Sequence, residues 1–154
     1  MPLFPTPDAP VQPAPVRCGA DALRIISLAV SRPLEAETLV FLLDQRGLGG
    51  VITLVSGTTE PDSVLAVAEC LARAAEGVDR ARAMVLATVR PAAGPGGALL
   101  PGDVDRWLEA SDVVGERGVH LLEWFVIGPA GAECPRDLLG EPQRWHLLGE
   151  GGEG

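Results

Sequence analysis

The stretch MVLATVRPAAGPGGALLPGDVD, residues 84 to 105, has the layout of a catalytic or phosphate-binding site. An apolar run from Met84 to Ala87 stops at Thr88-Val89-Arg90-Pro91. A loop rich in glycine and proline follows, and Asp103-Val104-Asp105 opens a helix. Strand, loop and helix N-terminus in that order offer backbone N–H groups and loop side chains to a ligand. Yet the loop holds no histidine, cysteine, serine or lysine. The GPGG at 94–97 lacks the following Lys and Ser/Thr that a phosphate loop requires, so a plain loop is expected.

The other reactive residues are sparse. His120 and His146 are the two histidines; the first reads as a hydrogen-bonded strand residue and the second as a surface residue. Cys18, Cys70 and Cys134 are widely spaced, which predicts reduced thiols in or near the core and not a disulfide framework. Cys134-Pro135 lacks the second cysteine of a deaminase-type zinc motif. Ser56-Gly57-Thr58-Thr59 has no neighbouring base to activate a nucleophile and reads as a strand-to-helix connection. Asp103, Asp105, Glu109 and Asp112 share one helix, where negative charge in the first turn favours the helix dipole without any ligand. Trp107, Trp124 and Trp145 are too few for a base-stacking platform, and the first two are expected in a core or an interface.

A chain of 154 residues with 47% hydrophobic residues is long enough for one domain with a sizeable core. Its net charge of −9 opposes nucleic acid and anionic membranes, which need a basic face. No apolar run reaches the roughly 20 residues of a membrane helix, and the N-terminus lacks the pattern of a secretory signal. A cytoplasmic protein is expected. All twelve cations are arginine, and Lys, Asn and Tyr are absent, a bias of GC-rich coding in a bacterial genome that carries no mechanism.

The elements that must position these residues follow from periodicity. Residues 1–17 form a proline-rich arm and 149–154 (GEGGEG) an acidic glycine-rich tail, both expected to be flexible, with a domain over 18–148 between them. Leu23, Ile26 and Val30 have helical spacing over 18–30. TLVFLLD (38–44) is continuously apolar, as in a strand buried on both faces, and a turn at 45–50 joins it to VITLVSG (51–57) in a hairpin. Thr59 and Pro61 start a helix whose apolar face is Val64, Ala68, Leu71 and Ala75 and which Gly77 stops. A third strand is predicted at 83–88. A helix at 103–115 should send Val104, Trp107, Leu108 and Val114 to the core, and a fourth strand spans 119–128. Alternating strands and helices predict an α/β domain of three layers, a mixed sheet flanked by helices.

In this order, three segments together resemble the JAB/MPN metalloprotease family in its RadC-like branch. Thr88-Val89-Arg90-Pro91 and then Pro101-Gly102-Asp103-Val104-Asp105 lie over that family's H-N-H-P-S-G and P-S-x-x-D pattern. GVHLLEWFVIG (118–128) is similar to its G-I-x-L-L-D-H-x-I-I-G strand, and EAETLVFLLDQRG (35–47) to its upstream strand and turn. The resemblance spans about residues 35–130 and implies a cytidine-deaminase-like architecture.

It also implies where a zinc site would be. Thr88 and Arg90 stand at the two histidine positions, Gly102 at the serine, Asp105 at the retained aspartate, and Glu37 or Glu35 at the glutamate. Zinc sites need about three His, Cys or carboxylate ligands, so no metal and no other cofactor is expected here. The expected function is a catalytically inactive protein-interaction or scaffold module, pairing with itself or with another protein, without nucleic acid or membrane. The chain has no segment matching the helix-hairpin-helix module of full-length RadC proteins, which speaks against DNA repair. Two alternatives are a binder of a small molecule or peptide, using the vestigial groove along 90–101 with Arg90 holding a carboxylate, and a hydrolase of unrecognised chemistry. In the favoured case Arg90 should bridge to Asp105, and to Glu37 as well, in the place of the metal.

Overall fold

The computed structural model describes residues 15–76 and 81–148. Helix α1 (Gly19–Ala29) is followed by β1 (Glu37–Leu43), β2 (Gly49–Ser56), α2 (Pro61–Ala75), β3 (Ala83–Val89), α3 (Asp103–Glu116), β4 (His120–Gly128), β5 (Gly131–Glu133), α4 (Pro135–Leu138) and a single 3-10 turn (Trp145–Leu147). The strands form one mixed sheet in the order β2-β1-β3-β4-β5. β1 runs antiparallel to both β2 and β3, β3 is parallel to β4, and β5 folds back antiparallel on β4. The fold is therefore α/β, with no helix among the described residues long and apolar enough to cross a membrane.

Two packed cores sandwich the sheet. On one face α2 and α3 bring Val64, Ala68, Trp107 and Val114 onto Val40, Met84, Leu86 and Trp124. On the other, α1 brings Ala22 and Ile26 onto Leu39, Phe41, Val85 and Leu122. β3 lies in the middle and is buried along its whole length, which is why its sequence shows no polar alternation. Parallel strands cannot be joined by a hairpin, so the β3–β4 pair demands a crossover connection, and α3 supplies it. That crossover leaves from the C-terminal end of β3, where the loop 90–102 begins. In an open α/β sheet this end is the usual place for a site.

The hairpin, the helices and the four long strands agree with the sequence reading within a residue or two. Several details do not. Leu108 is 42% exposed on α3 and not in the core; Ala110 takes the inward position instead. Cys18 and Cys70 are exposed, and only Cys134 is buried. His120 is exposed at the first residue of β4, engaged through its backbone N–H to Arg82 O. Val16, placed in the arm by composition, is buried, and its N–H donates to Gly47 O. The rest of the proposed arm (1–14), the tail from 149 and the helix stop at Gly77 lie outside the described residues. β5 and α4 are too short to leave a periodic signal.

Candidate functional site

Arg90 is the first residue beyond β3, and its backbone N–H donates to Ile127 O of the parallel neighbour β4. That fixes its Cα over the C-terminal edge of the sheet. By strand alternation the side chain follows Met84, Leu86 and Thr88 onto the α2/α3 face. There it is only 7% exposed, and the chain has arranged acceptors around it. Nη1 donates to Asp103 Oδ2 at 2.6 Å and to Ala98 O at 3.0 Å. Nη2 donates to Asp103 Oδ1 at 3.0 Å and to Thr59 O at 2.7 Å, and Nε donates to the same Thr59 O at 3.0 Å. A guanidinium has five N–H groups, and these contacts engage all five. It also lies 6.0 Å from the centre of the Trp124 ring.

Asp103 is the first residue of α3 and is fully buried. Besides Arg90 it accepts the Leu100 N–H on Oδ2 at 2.6 Å, which folds the end of the loop back against the helix. Gly102, the N-cap, has φ +97, a conformation that a side chain would strain, and this lets the chain turn sharply from the loop into α3.

A second buried chain of polar groups runs beside the ion pair. Trp124 Nε1 donates to Thr88 Oγ1 at 2.9 Å, Thr88 and Thr38 hydroxyls are 3.1 Å apart, and Thr38 Oγ1 donates to Thr58 O at 2.5 Å. Each hydroxyl has one proton. Thr38 spends its proton on Thr58 O, so Thr88 donates to Thr38 and accepts from the indole. The order Trp124 to Thr88 to Thr38 to Thr58 leaves no donor over.

The residues singled out in the sequence separate accordingly. Thr88 and Arg90 sit at the C-terminal end of β3, and Gly102 precedes α3 at the far end of the loop. Asp105 is exposed, and the carboxylate on Arg90 belongs to Asp103, two positions earlier. The reason is helical geometry: Asp103 at the first position of α3 faces the sheet, and a step of two residues turns Asp105 away from it. Glu37 does not reach Arg90 either. The β1–β3 register sets Thr38 opposite Thr88 and Glu37 opposite Val89, so Glu37 faces the α1 side of the sheet. It is buried there and accepts the Ser31 N–H and hydroxyl, each at 3.0 Å. Glu35 is exposed ahead of the strand.

Arg136, Glu141 and Arg144, which the sequence did not flag, complete the picture. Glu123 on β4 is buried against Arg136 of α4, whose Nε donates to Glu123 Oε2 at 2.9 Å. Burial pushes the Glu123 carboxyl above its ordinary range, and Arg136 offsets this only in part. Burial, with Glu123 beside it, pushes the Cys134 thiol far up, which favours the protonated form. Arg144 lies 4.3 Å from the centre of the Trp107 ring and donates to Leu121 O, while Trp107 Nε1 donates to Glu141 Oε1. These contacts strap residues 134–148 to α3 and β4. Only a Glu-Arg pair separated by thirteen residues could have hinted at the first of them.

What can the site do? A guanidinium has no lone pair to give a metal, and Asp103 is already shared between Arg90 and Leu100 N–H. Among the described residues no three His, Cys, Asp or Glu side chains gather in a metal-binding group. The residues present do not fit zinc. A cavity of about 410 Å³ opens beside the loop, bordered by Ala36, Thr59, Glu60, Arg90, Pro91 and Leu100. Arg90 has no N–H left to present to it, so a ligand carboxylate would have to break an internal bond to be held. No family model matches the chain, and no curated protein matches it.

Proposed function

We propose that this chain is a metal-free domain of the RadC-like JAB/MPN type, working in the cytoplasm through contacts with protein, its own kind or another, and not by hydrolysis. One observation carries the reading. At Arg90, which the resemblance sets at a histidine position, the side chain forms a buried pair with Asp103 and has all its donors engaged, with Thr88 at the other histidine position buried beside it and Asp105, the retained aspartate position, exposed. The element order and the parallel pair β3–β4 at that site support the same family reading. The free thiols of Cys18 and Cys70, exposed to solvent, suit a reducing compartment.

The test has two parts. Equilibrium dialysis against zinc should leave the purified chain without stoichiometric metal, and zinc should not raise its melting temperature. Stoichiometric, stabilising zinc would overturn the metal-free reading. Gel filtration of an extract of the native host, probed with an antibody, should place the chain well above its 16.0 kDa mass. Elution at the monomer mass would overturn the interaction reading.

A further inference from the structure

β2 closes the sheet on one side, and no strand among the described residues pairs with its outer edge. Edge strands in soluble proteins discourage pairing with charges, proline, bulges or short length. β2 has eight residues, and from Gly47 to Thr59 the sequence contains neither a charge nor a proline. Its one irregularity falls at the start, where Gly49 pairs with Leu43, so the ladder from Val51 to Ser56 is regular.

The direction of its backbone groups can be read from the neighbouring bond. Gly57 N–H donates to Ala36 O, across the same antiparallel register that pairs Val55 with Thr38 and Thr53 with Val40. Antiparallel bonding alternates, so Val55 and Thr53 bond inward to β1, whereas Ser56, Leu54 and Ile52 turn N–H and C=O outward. Leu54 is at the centre of these three and is 42% exposed.

We propose that this edge pairs antiparallel with the β2 edge of a second copy across a two-fold axis at Leu54, joining two five-stranded sheets into one. Leu54 then faces its own equivalent, and Ile52 faces Ser56 twice over, giving about six hydrogen bonds at two per facing pair. An interface of this kind must be self-complementary, and the strand is. No charge meets a like charge along it, although the chain carries −9 overall. The ends agree as well. Exposed Arg46 lies at the hairpin end and exposed Glu60 at the other, so antiparallel pairing brings opposite charges together. Asp44, near Arg46, has its Oδ1 engaged by the Arg46 and Leu48 N–H groups of the turn. Parallel pairing would set Arg46 against Arg46.

The pairing rests on the strand edge and gives a partner to the interaction reading above. Sedimentation of the full chain at micromolar concentration should give twice its 16.0 kDa mass. Leu54→Pro deletes an outward N–H and leaves the β1 ladder intact, so it should yield a monomer with an unchanged far-ultraviolet spectrum. Leu54→Lys sets two like charges across the axis on an exposed side chain and should raise the dimer Kd roughly tenfold or more. It decides the matter if the proline variant does not fold. A wild-type monomer, or a dimer that Leu54→Lys leaves at full strength, overturns the proposal. A monomer that still runs in a large complex in host extract overturns self-pairing alone and leaves the interaction reading standing.

Discussion

Arg90 and Asp103 meet through two parallel hydrogen bonds, Nη1 to Oδ2 at 2.6 Å and Nη2 to Oδ1 at 3.0 Å, with side chains 7% and 1% exposed. A planar guanidinium and a carboxylate match in this fork, which adds direction to charge. The pair ties the end of β3 to the start of α3 across a loop that has no regular structure of its own. The remaining Arg90 donors reach back to Thr59 O and sideways to Ala98 O, so one side chain fixes the exits of β2 and β3 and the entry of α3. Position matters more than net energy here. Two buried charges lose so much hydration that well-packed apolar residues could match their stability, but removing one partner strands the other.

Arg90→Ala should therefore lower unfolding stability by roughly 3–5 kcal/mol, read from urea denaturation. Asp103→Asn added to it should recover part of the loss, because the stranded carboxylate is gone. Asp105→Asn should stay within about 0.5 kcal/mol of wild type, as for an exposed residue. Equal losses for Asp103→Asn and Asp105→Asn would contradict the pairing.

The threonine chain is directional, and its middle member can be tested with nearly constant shape. Thr88→Val leaves the Trp124 indole N–H buried without an acceptor and should cost about 1–3 kcal/mol. Thr88→Ser keeps the hydroxyl and should recover most of that. If Val and Ser cost the same, the loss is one of packing and the hydrogen bond from Trp124 is unimportant.

The sheet and its helices were legible in the sequence because long apolar runs and helical spacing report burial directly. TLVFLL and AMVLATV have no polar alternation since helices cover both their faces. The site was legible in outline and wrong in detail. Arg90 as a cation needing a carboxylate partner is readable from the sequence, but motif spacing points to Asp105, whereas the helix start turns Asp103 inward. Glu37 was misplaced by a single strand position, which in a sheet means the opposite face. The Glu123–Arg136 pair depends on the path of residues 129–135 after β4, and local pattern does not encode that path.

Glu123 gives the fold a pH signature. Its carboxyl is pushed above 4.5 by burial, so the folded state binds its proton more tightly than the unfolded chain does. The resulting stabilisation is fully present below the ordinary value and is lost as pH rises through the raised one. Wild type should thus gain stability relative to Glu123→Gln as pH falls from neutrality toward about 4.5. Arg136→Met leaves the carboxylate alone and should cost roughly 3–5 kcal/mol at neutral pH, with a smaller deficit once acid protonates Glu123. Melting curves of the three proteins between those limits would show it. A deficit for Arg136→Met that grows on acidification would contradict the sign.

The loop after β3 has two adjacent glycines with opposite demands. Gly97 has φ +110, and a Cβ there would come within 2.5 Å of Glu133 Oε1, the atom that accepts the Ala98 N–H at 2.9 Å. Gly96 has no such φ, and a Cβ on it would meet nothing within 4 Å. Gly97→Ala must therefore strain the backbone and displace Glu133 at the same time, while Gly96→Ala needs neither. The expected loss is about 1–3 kcal/mol for Gly97→Ala from the backbone alone. Gly96→Ala should be neutral or slightly stabilising, since alanine narrows the unfolded ensemble. Glu133→Ala tells whether the contact or the backbone dominates. It removes the atoms that a Cβ at position 97 would meet and also the acceptor of the Ala98 N–H, so it has a cost of its own, and it should not rescue Gly97→Ala, because the strain at φ +110 remains. A double variant Gly97→Ala/Glu133→Ala no less stable than Glu133→Ala alone would mean that contact with the carboxylate, not backbone conformation, is what keeps position 97 a glycine.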